Sequence, residues 1–360
     1  MSILDLIRPD LRQFSGYLSA RKQNSGGNVW LNANESALPQ AFDSQQLNRY
    51  PEPQPQALKS ALCENYVVSA DRLLVTRGSD EGIDLLVRAL CIPGQDSIVI
   101  QSPTFGMYAV CAALHACRVI DSPLKECDGR FDWDIPAMID AVTVNGSKLL
   151  FLCSPANPTG QSLEPETLEP LLLALQDRCL VVVDEAYGEY SRHPSAVSLL
   201  DRYNNLAVLK TLSKAHALAG ARIGAVIATA ELTAVLKACQ APYPISKPGS
   251  ELAVQAFAPG NLSRTHSAVR DCLTERVRLA AALQQLPFVR TVFASDANFL
   301  LVRFSDSEAI SRFLLERGIV VRAMVQYPAI RDCLRISIGT AAENDTLLQS
   351  LTLYQQATHA

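Results

Sequence analysis

Five short runs in this chain carry apolar residues without a break: "SIVI" (97–100), "LLFLC" (149–153), "CLVVVDE" (179–185), "NLAVLKT" (205–211) and "IGAVIA" (223–228). A strand with one wet face alternates apolar and polar residues, whereas a strand covered on both faces has no reason to. Helical patterns separate the runs; Ile83, Leu86, Val87 and Leu90 form one apolar helix face. This alternation predicts an α/β fold with a parallel sheet between helices. The texture changes near Gln240, where "APYPISKPGS" is a proline-rich break. A charged helical pattern (264–286) and two separated strand patterns, "NFLLVRF" and "CLRISIG", follow it. The expected organisation is an N-terminal arm with part of a small domain over 1–45, a large domain over 46–240, and a small α+β domain over 241–360.

Composition narrows the function. The net charge is −4, with no basic block, so nucleic acid and anionic membrane surfaces are poor partners. No apolar run approaches the roughly 18 residues that would suggest a span. The ten cysteines include no C-x-x-C pair and only five histidines accompany them. They read as reduced thiols of a cytoplasmic protein rather than as a metal site. A small-molecule ligand is the expectation.

In an open parallel sheet, ligands bind at the carboxyl ends of the strands. Four motifs fall there. "RGSDEG" places Gly78, Ser79 and Asp80 at a helix start, where free N–H groups and the helix dipole attract a phosphate; it is equally an ordinary N-cap. "CSPANPTG" sets Asn157 in a turn, able to donate to a phenolate-like oxygen or merely to shape the turn. "VVVDEAYGEY" ends a β-branched run on Asp184, with Tyr187 three residues on. A carboxylate there either reaches solvent or meets a cation, such as a protonated pyridine nitrogen. "TLSKAHALAGARIG" sets Lys214 among small and apolar residues, with Ser213 and Arg222 as further phosphate-binding groups. A lysine partly withdrawn from water beside other cations has a lowered pKa and can form a Schiff base.

Each motif alone is weak, but their order is specific. It resembles the fold-type I pyridoxal-phosphate enzymes, and within them the class I and II aminotransferases. Finer stretches, "LNANE", "NRYPEPQP", "PTFGMY", "APYPIS", "ASDANFLLVRF" and "CLRISIGT", are similar to the histidinol-phosphate aminotransferase family. The resemblance implies a large domain with a mostly parallel seven-stranded sheet, and pyridoxal 5'-phosphate as cofactor. It implies amino-group exchange between histidinol phosphate and 2-oxoglutarate or glutamate, in histidine biosynthesis, by ping-pong kinetics. It makes Lys214 the Schiff-base lysine, Asp184 the partner of the ring nitrogen, and Asn157 and Tyr187 the partners of the ring oxygen. Ser79, Asp80, Ser213 and Arg222 become the phosphate cradle, and Tyr108 the aromatic stacked on the ring. Arg335 and Arg322 bind the substrate's anionic group. Tyr17 and Tyr50 line its phosphate pocket, Tyr50 from the other subunit of a homodimer with shared sites.

The chain departs from the family pattern in places. Ala156 and Phe105 replace an asparagine and a tyrosine that are usual there, Ser79 replaces an alanine, and His216 a phenylalanine. His216 reads as a packed neighbour, since Lys214 already serves as base. The segment "AMVQYPAIRDCL" between Arg322 and Arg335 is atypical and offers Arg331 as a substitute for Arg322. An aromatic-amino-acid aminotransferase and a threonine-phosphate decarboxylase share the scaffold and stay open. A cofactor-sensing regulator needs a DNA-binding domain ahead of the fold, and no helix-turn-helix pattern stands there.

Overall fold

The unbroken apolar runs become the middle of a seven-stranded sheet. The computed structural model describes residues 3–18 and 29–359. The large sheet is built from β1 (Leu73–Thr76), β2 (Ser97–Ile100) and β3 (Arg118–Asp121). A separate hairpin, β4 (Lys125–Cys127) and β5 (Arg130–Asp132), follows. The large sheet then takes up β6 (Leu149–Cys153), β7 (Leu180–Asp184), β8 (Leu206–Thr211) and β9 (Gly224–Ile227). The strand order is β1-β9-β8-β7-β6-β2-β3. Only β9 runs against its neighbours.

The helices explain why the runs carry no polar face. Leu74, Phe151, Val182 and Leu209 point to one side of the sheet, with α2 (Gly78–Leu90), α3 (Met107–Leu114) and α6 (Ala230–Cys239). Val75, Leu152, Val183 and Val208 point to the other. There α1 (Gln56–Tyr66), α4 (Ile135–Asn145), α5 (Pro165–Ala174) and α7 (Lys247–Ala256) cover them. These sheet residues are fully or almost fully buried, and each apolar side chain withdrawn from water contributes about 1.5–3 kcal/mol.

The small domain pairs α8 (Pro259–Leu283), α9 (Ser307–Glu316) and α10 (Ala341–His359) with a four-stranded antiparallel sheet. That sheet comprises β10 (Val289–Val292), β11 (Phe299–Phe304), β12 (Arg322–Ala323) and β13 (Cys333–Ser337). Two expected boundaries shift. Ile245 and Ala253 belong to the core of the large domain, so the proline-rich break at 241–250 is a packed connection and the small domain's own core begins with α8. The N-terminal residues Ile3, Leu6 and Ile7 also join the large domain, against α2, rather than the small one. The backbone N–H of Arg8 fixes that contact by donating to the carbonyl of Ala89 at 3.0 Å. From 29 to 50 the chain forms neither helix nor strand, as its turn-rich sequence predicts.

Strands β8 and β9 form a hairpin closed by Thr211 opposite Gly224, and its loop carries Ser213, Lys214 and Arg222. The start of α2 lies against the base of this hairpin. A Cβ on Gly224 would stand 2.5 Å from the carbonyl carbon of Gly78 and 2.7 Å from the nitrogen of Ser79. Glycine is therefore required where two backbones touch. Gly224→Ala is expected to cost about 1–3 kcal/mol through overpacking. It should lower the urea midpoint followed by circular dichroism, and an unchanged midpoint would contradict the contact.

Candidate active site

The carboxyl edge of the large sheet holds a cavity of about 150 Å³. Residues from β6, β7, β8 and the start of α2 converge on it because parallel strands point the same ends the same way.

One end is an anion cradle. Gly78 and Arg222 both have left-handed backbone, at φ +72° and +57°. A Cβ at 78 would meet the Arg222 guanidinium at 2.7 Å, so glycine lets the cation lie across the helix start. The guanidinium donates to the Asp80 carboxylate at 3.1 Å and to the Ser213 hydroxyl at 3.4 Å. Thr211 donates to the same hydroxyl at 3.0 Å. Asp80 thus orients Arg222 with its carboxylate, and what it offers an anion is its backbone N–H in the first turn of α2. Ser79, Asp80, Ser213 and Arg222 all line the cavity. Half-exposed cation, hydroxyls and a helix start together favour a phosphate.

The other end is a buried acid. Asp184 is 1% exposed and ends β7. Its carboxylate accepts from the Tyr108 hydroxyl at 2.9 Å and from the Ala186 N–H at 3.1 Å. Burial raises its pKa from 3.8 to about 6, against the pull of those two donors. Here the structure corrects an expectation. Tyr108 does not face the cavity: it is fully buried, stacked on Phe151 at 4.8 Å and bonded to Asp184. Phe105, three residues earlier, lines the cavity in its place, together with Tyr187. The reason is the start of α3 at Met107, whose first turn swings Tyr108 inward and leaves Phe105 in the loop between β2 and α3.

Between the two ends stand Asn157, Tyr187 and Lys214. The Asn157 side-chain oxygen accepts from the Arg335 guanidinium, which leaves its amide hydrogens free to serve a ligand oxygen. Tyr187 packs edge-on against Phe299, and the Lys214 amine lies 5.6 Å from its ring centre. Burial, and then the charge of Arg335, hold the Lys214 pKa below the ordinary lysine value. Arg335 and Arg322 are directly opposite each other on β13 and β12, so they share one face of the small sheet. Arg331 follows a single turn, Pro328–Ile330; none of the three arginines lines the cavity itself, and Arg335 reaches it through Asn157.

Tyr17 and Tyr50 are not brought to this cavity. Both are exposed and line a separate cleft beside Tyr243, on which Tyr50 stacks at 4.4 Å. His216 is buried against Phe257, and burial lowers its pKa to about 4; it lies outside the cavity, as a neutral packed neighbour. Sequence reasoning passed over Phe105, Cys153 and Thr211 as lining residues. The signal for the last two was their place as final residues of β6 and β8. Among the described residues no cluster of three metal-ligating side chains occurs, and no helix is long and apolar enough to cross a membrane.

The donor set fits pyridoxal phosphate: a phosphate cradle at one end, a buried carboxylate for a cationic ring nitrogen at the other, and a lysine between. Fold and site together define a pyridoxal-phosphate-dependent enzyme of fold-type I. Known proteins agree. The family model "Aminotransferase class I and II" matches residues 22–351. A histidinol-phosphate aminotransferase of Xanthomonas oryzae pv. oryzae is 53% identical over 357 residues, covering 99% of this chain and 98% of its own length. The crystal structure of such an enzyme from Sinorhizobium meliloti, in complex with pyridoxal-5'-phosphate, superposes with a TM-score of 0.75 at 26% identity, over 84% of this chain and 82% of that one. The Clostridium acetobutylicum structure gives 0.78 at 24% identity, over 86% and 92%, a likeness of fold. The chain belongs to the class I and II aminotransferase family.

Because Asp184 binds its proton more tightly when folded, cofactor-free protein should lose stability as pH rises from about 4 to 6. Asp184→Asn removes that loss. The cofactor-free variant is expected to be more stable than wild type at pH 7.5 by roughly 2–3 kcal/mol, and equal to it near pH 3.5. Urea titrations at the two pH values measure this; a wild type more stable than the variant at pH 7.5 would count against a buried, unpaired carboxylate.

Proposed function

We propose that this chain exchanges the amino group between L-histidinol phosphate and 2-oxoglutarate, giving imidazole acetol phosphate and L-glutamate, in the cytoplasmic synthesis of histidine. The observation that carries the reading is the pair Arg322 and Arg335, side by side on β12 and β13, with Arg335 reaching Asn157 at the cavity. Histidinol phosphate has no carboxylate, so its phosphate must be gripped where glutamate presents an acid. Two guanidiniums suit both anions. The full-length likeness to histidinol-phosphate aminotransferases supports the same choice.

Bound pyridoxal phosphate supplies an electron sink for the charge left on the substrate carbon. The chain's own residues do the rest. Arg222, Ser213 and the start of α2 would hold the phosphate, and Asp184, positioned by Tyr108, would pair with the ring nitrogen. Asn157 and Tyr187 would serve the ring oxygen, with Phe105 as a wall of the same cavity. Lys214 would anchor the cofactor, and its amine, once free, would take the proton from the substrate Cα. A lowered pKa raises the neutral fraction available for that transfer. The first product leaves before 2-oxoglutarate enters, which is ping-pong order.

A homodimer with shared sites accounts for two further features. Val29, Leu31, Leu38 and Phe42 are at least 77% exposed on the irregular arm. A second copy covering the arm would bury them and carry Tyr50 to the neighbouring cavity.

Histidinol phosphate should bleach the visible absorbance of the holoenzyme at least about tenfold faster than phenylalanine or aspartate. Equal rates would point to a general aromatic enzyme, and carbon dioxide from threonine phosphate to a decarboxylase. Lys214→Ala should lose essentially all turnover, about 10²-fold or more. Mixed Tyr50→Phe and Lys214→Ala proteins should regain part of the activity; no recovery after verified subunit exchange would sink the shared site.

A further inference from the structure

The atypical segment between the two arginines contains a residue to which no role has been given. Tyr327 stands in a tight loop rooted by Met324, Ile330 and Cys333, all buried in the core that joins the small sheet to Phe131 of β5. The loop is braced by Met324 N–H to Cys333 carbonyl at 3.1 Å and by Tyr327 N–H to Met324 carbonyl at 3.0 Å. From it the Tyr327 hydroxyl crosses to the large domain and donates to the carbonyl of Thr104 at 2.5 Å. Thr104 directly precedes Phe105, an aromatic wall of the cavity.

We propose that Tyr327 is a positioning residue that sets substrate choice, by fixing the loop and strands that carry Arg322 and Arg335 at a set reach from Phe105 and Lys214. The inference rests on the reading of the site as one for a phosphorylated amino alcohol. An amino substrate must place its Cα at Lys214 and its anion at the arginines at the same time. The bridge to Thr104 holds those two points apart by a constant distance. A phosphate monoester whose length fits that distance gains both contacts, while a shorter amino acid lacking the phosphate gains one. The neighbourhood agrees: Tyr327 lies in the loop between β12 and β13, the two strands on which Arg322 and Arg335 stand opposite each other.

The experiment compares wild type, Tyr327→Phe and Tyr327→Gln holoenzymes on histidinol phosphate and on phenylalanine. Tyr327→Phe keeps the ring and removes the donor; Tyr327→Gln supplies a donor on a smaller side chain. For Tyr327→Phe the ratio of kcat/KM values, histidinol phosphate over phenylalanine, should fall by up to about tenfold, the upper end for one neutral hydrogen bond. The fall should lie in KM for histidinol phosphate, with kcat within about twofold and the visible spectrum unchanged. Tyr327→Gln should recover part of the ratio. Holoenzyme fixed to its cofactor with borohydride cannot turn over, and its titration with histidinol phosphate should show the same loss of affinity in Tyr327→Phe. An unchanged ratio, or an equal loss for both substrates, overturns the proposal, the latter by marking a merely structural bond. A wild type with no preference for histidinol phosphate refutes the underlying function and this inference with it, and the wild-type arm alone reveals that case.

Discussion

The structure depends on a carboxylate withdrawn from water and held by neutral donors. Asp184 ends the central strand β7 with a phenol and a backbone N–H as its partners. Such a group is unfavourable in an empty pocket and favourable beside a cationic ring. Its cost is what selects the ligand. The surroundings keep it in place: Tyr108 is fixed by stacking on Phe151, and Phe151 belongs to the apolar core between the sheet and α2.

A second buried interaction steadies the same strand ends. Lys210 on β8 meets Glu185, the residue after Asp184, at 2.5 Å, with both side chains about 6% exposed. Glu185 also accepts from the Ser195 hydroxyl and the Ala196 N–H, each at 2.6 Å. The pair ties β7 to β8, and the further bonds of Glu185 tie it to the following turn. Asp184 and the loop that carries Lys214 therefore follow from neighbouring strands, β7 and β8, whose ends are fastened together.

Much of this was legible in the sequence, and for identifiable reasons. Double-sided burial writes itself as unbroken apolar runs, so the large sheet and its covering helices could be read. Strand-end placement pointed to Asp184, Asn157 and the Ser213–Lys214 pair, which the fold brings to one cavity. Three things were not legible. Phe105 and Tyr108 stand three positions apart across the start of a helix, and which one lines the cavity depends on where that helix begins. Prolines at 242, 244 and 248 read as a linker, although Ile245 packs into the large core. Tyr17 and Tyr50 share a cleft away from Lys214, an arrangement that motif order along one chain does not contain.

The single antiparallel strand has a consequence for how the protein comes together. Because β9 turns back on β8, the lysine, the serine and the phosphate-binding arginine lie in one closed loop between adjacent strands. Such a loop closes early, since little chain entropy is lost in bringing its ends together. Asp184 joins through parallel pairing, and the arginine at 335 only after more than a hundred further residues have been added. A chain emerging from the ribosome thus holds the reactive amine and most of the cavity's lining before it owns the small-domain arginines.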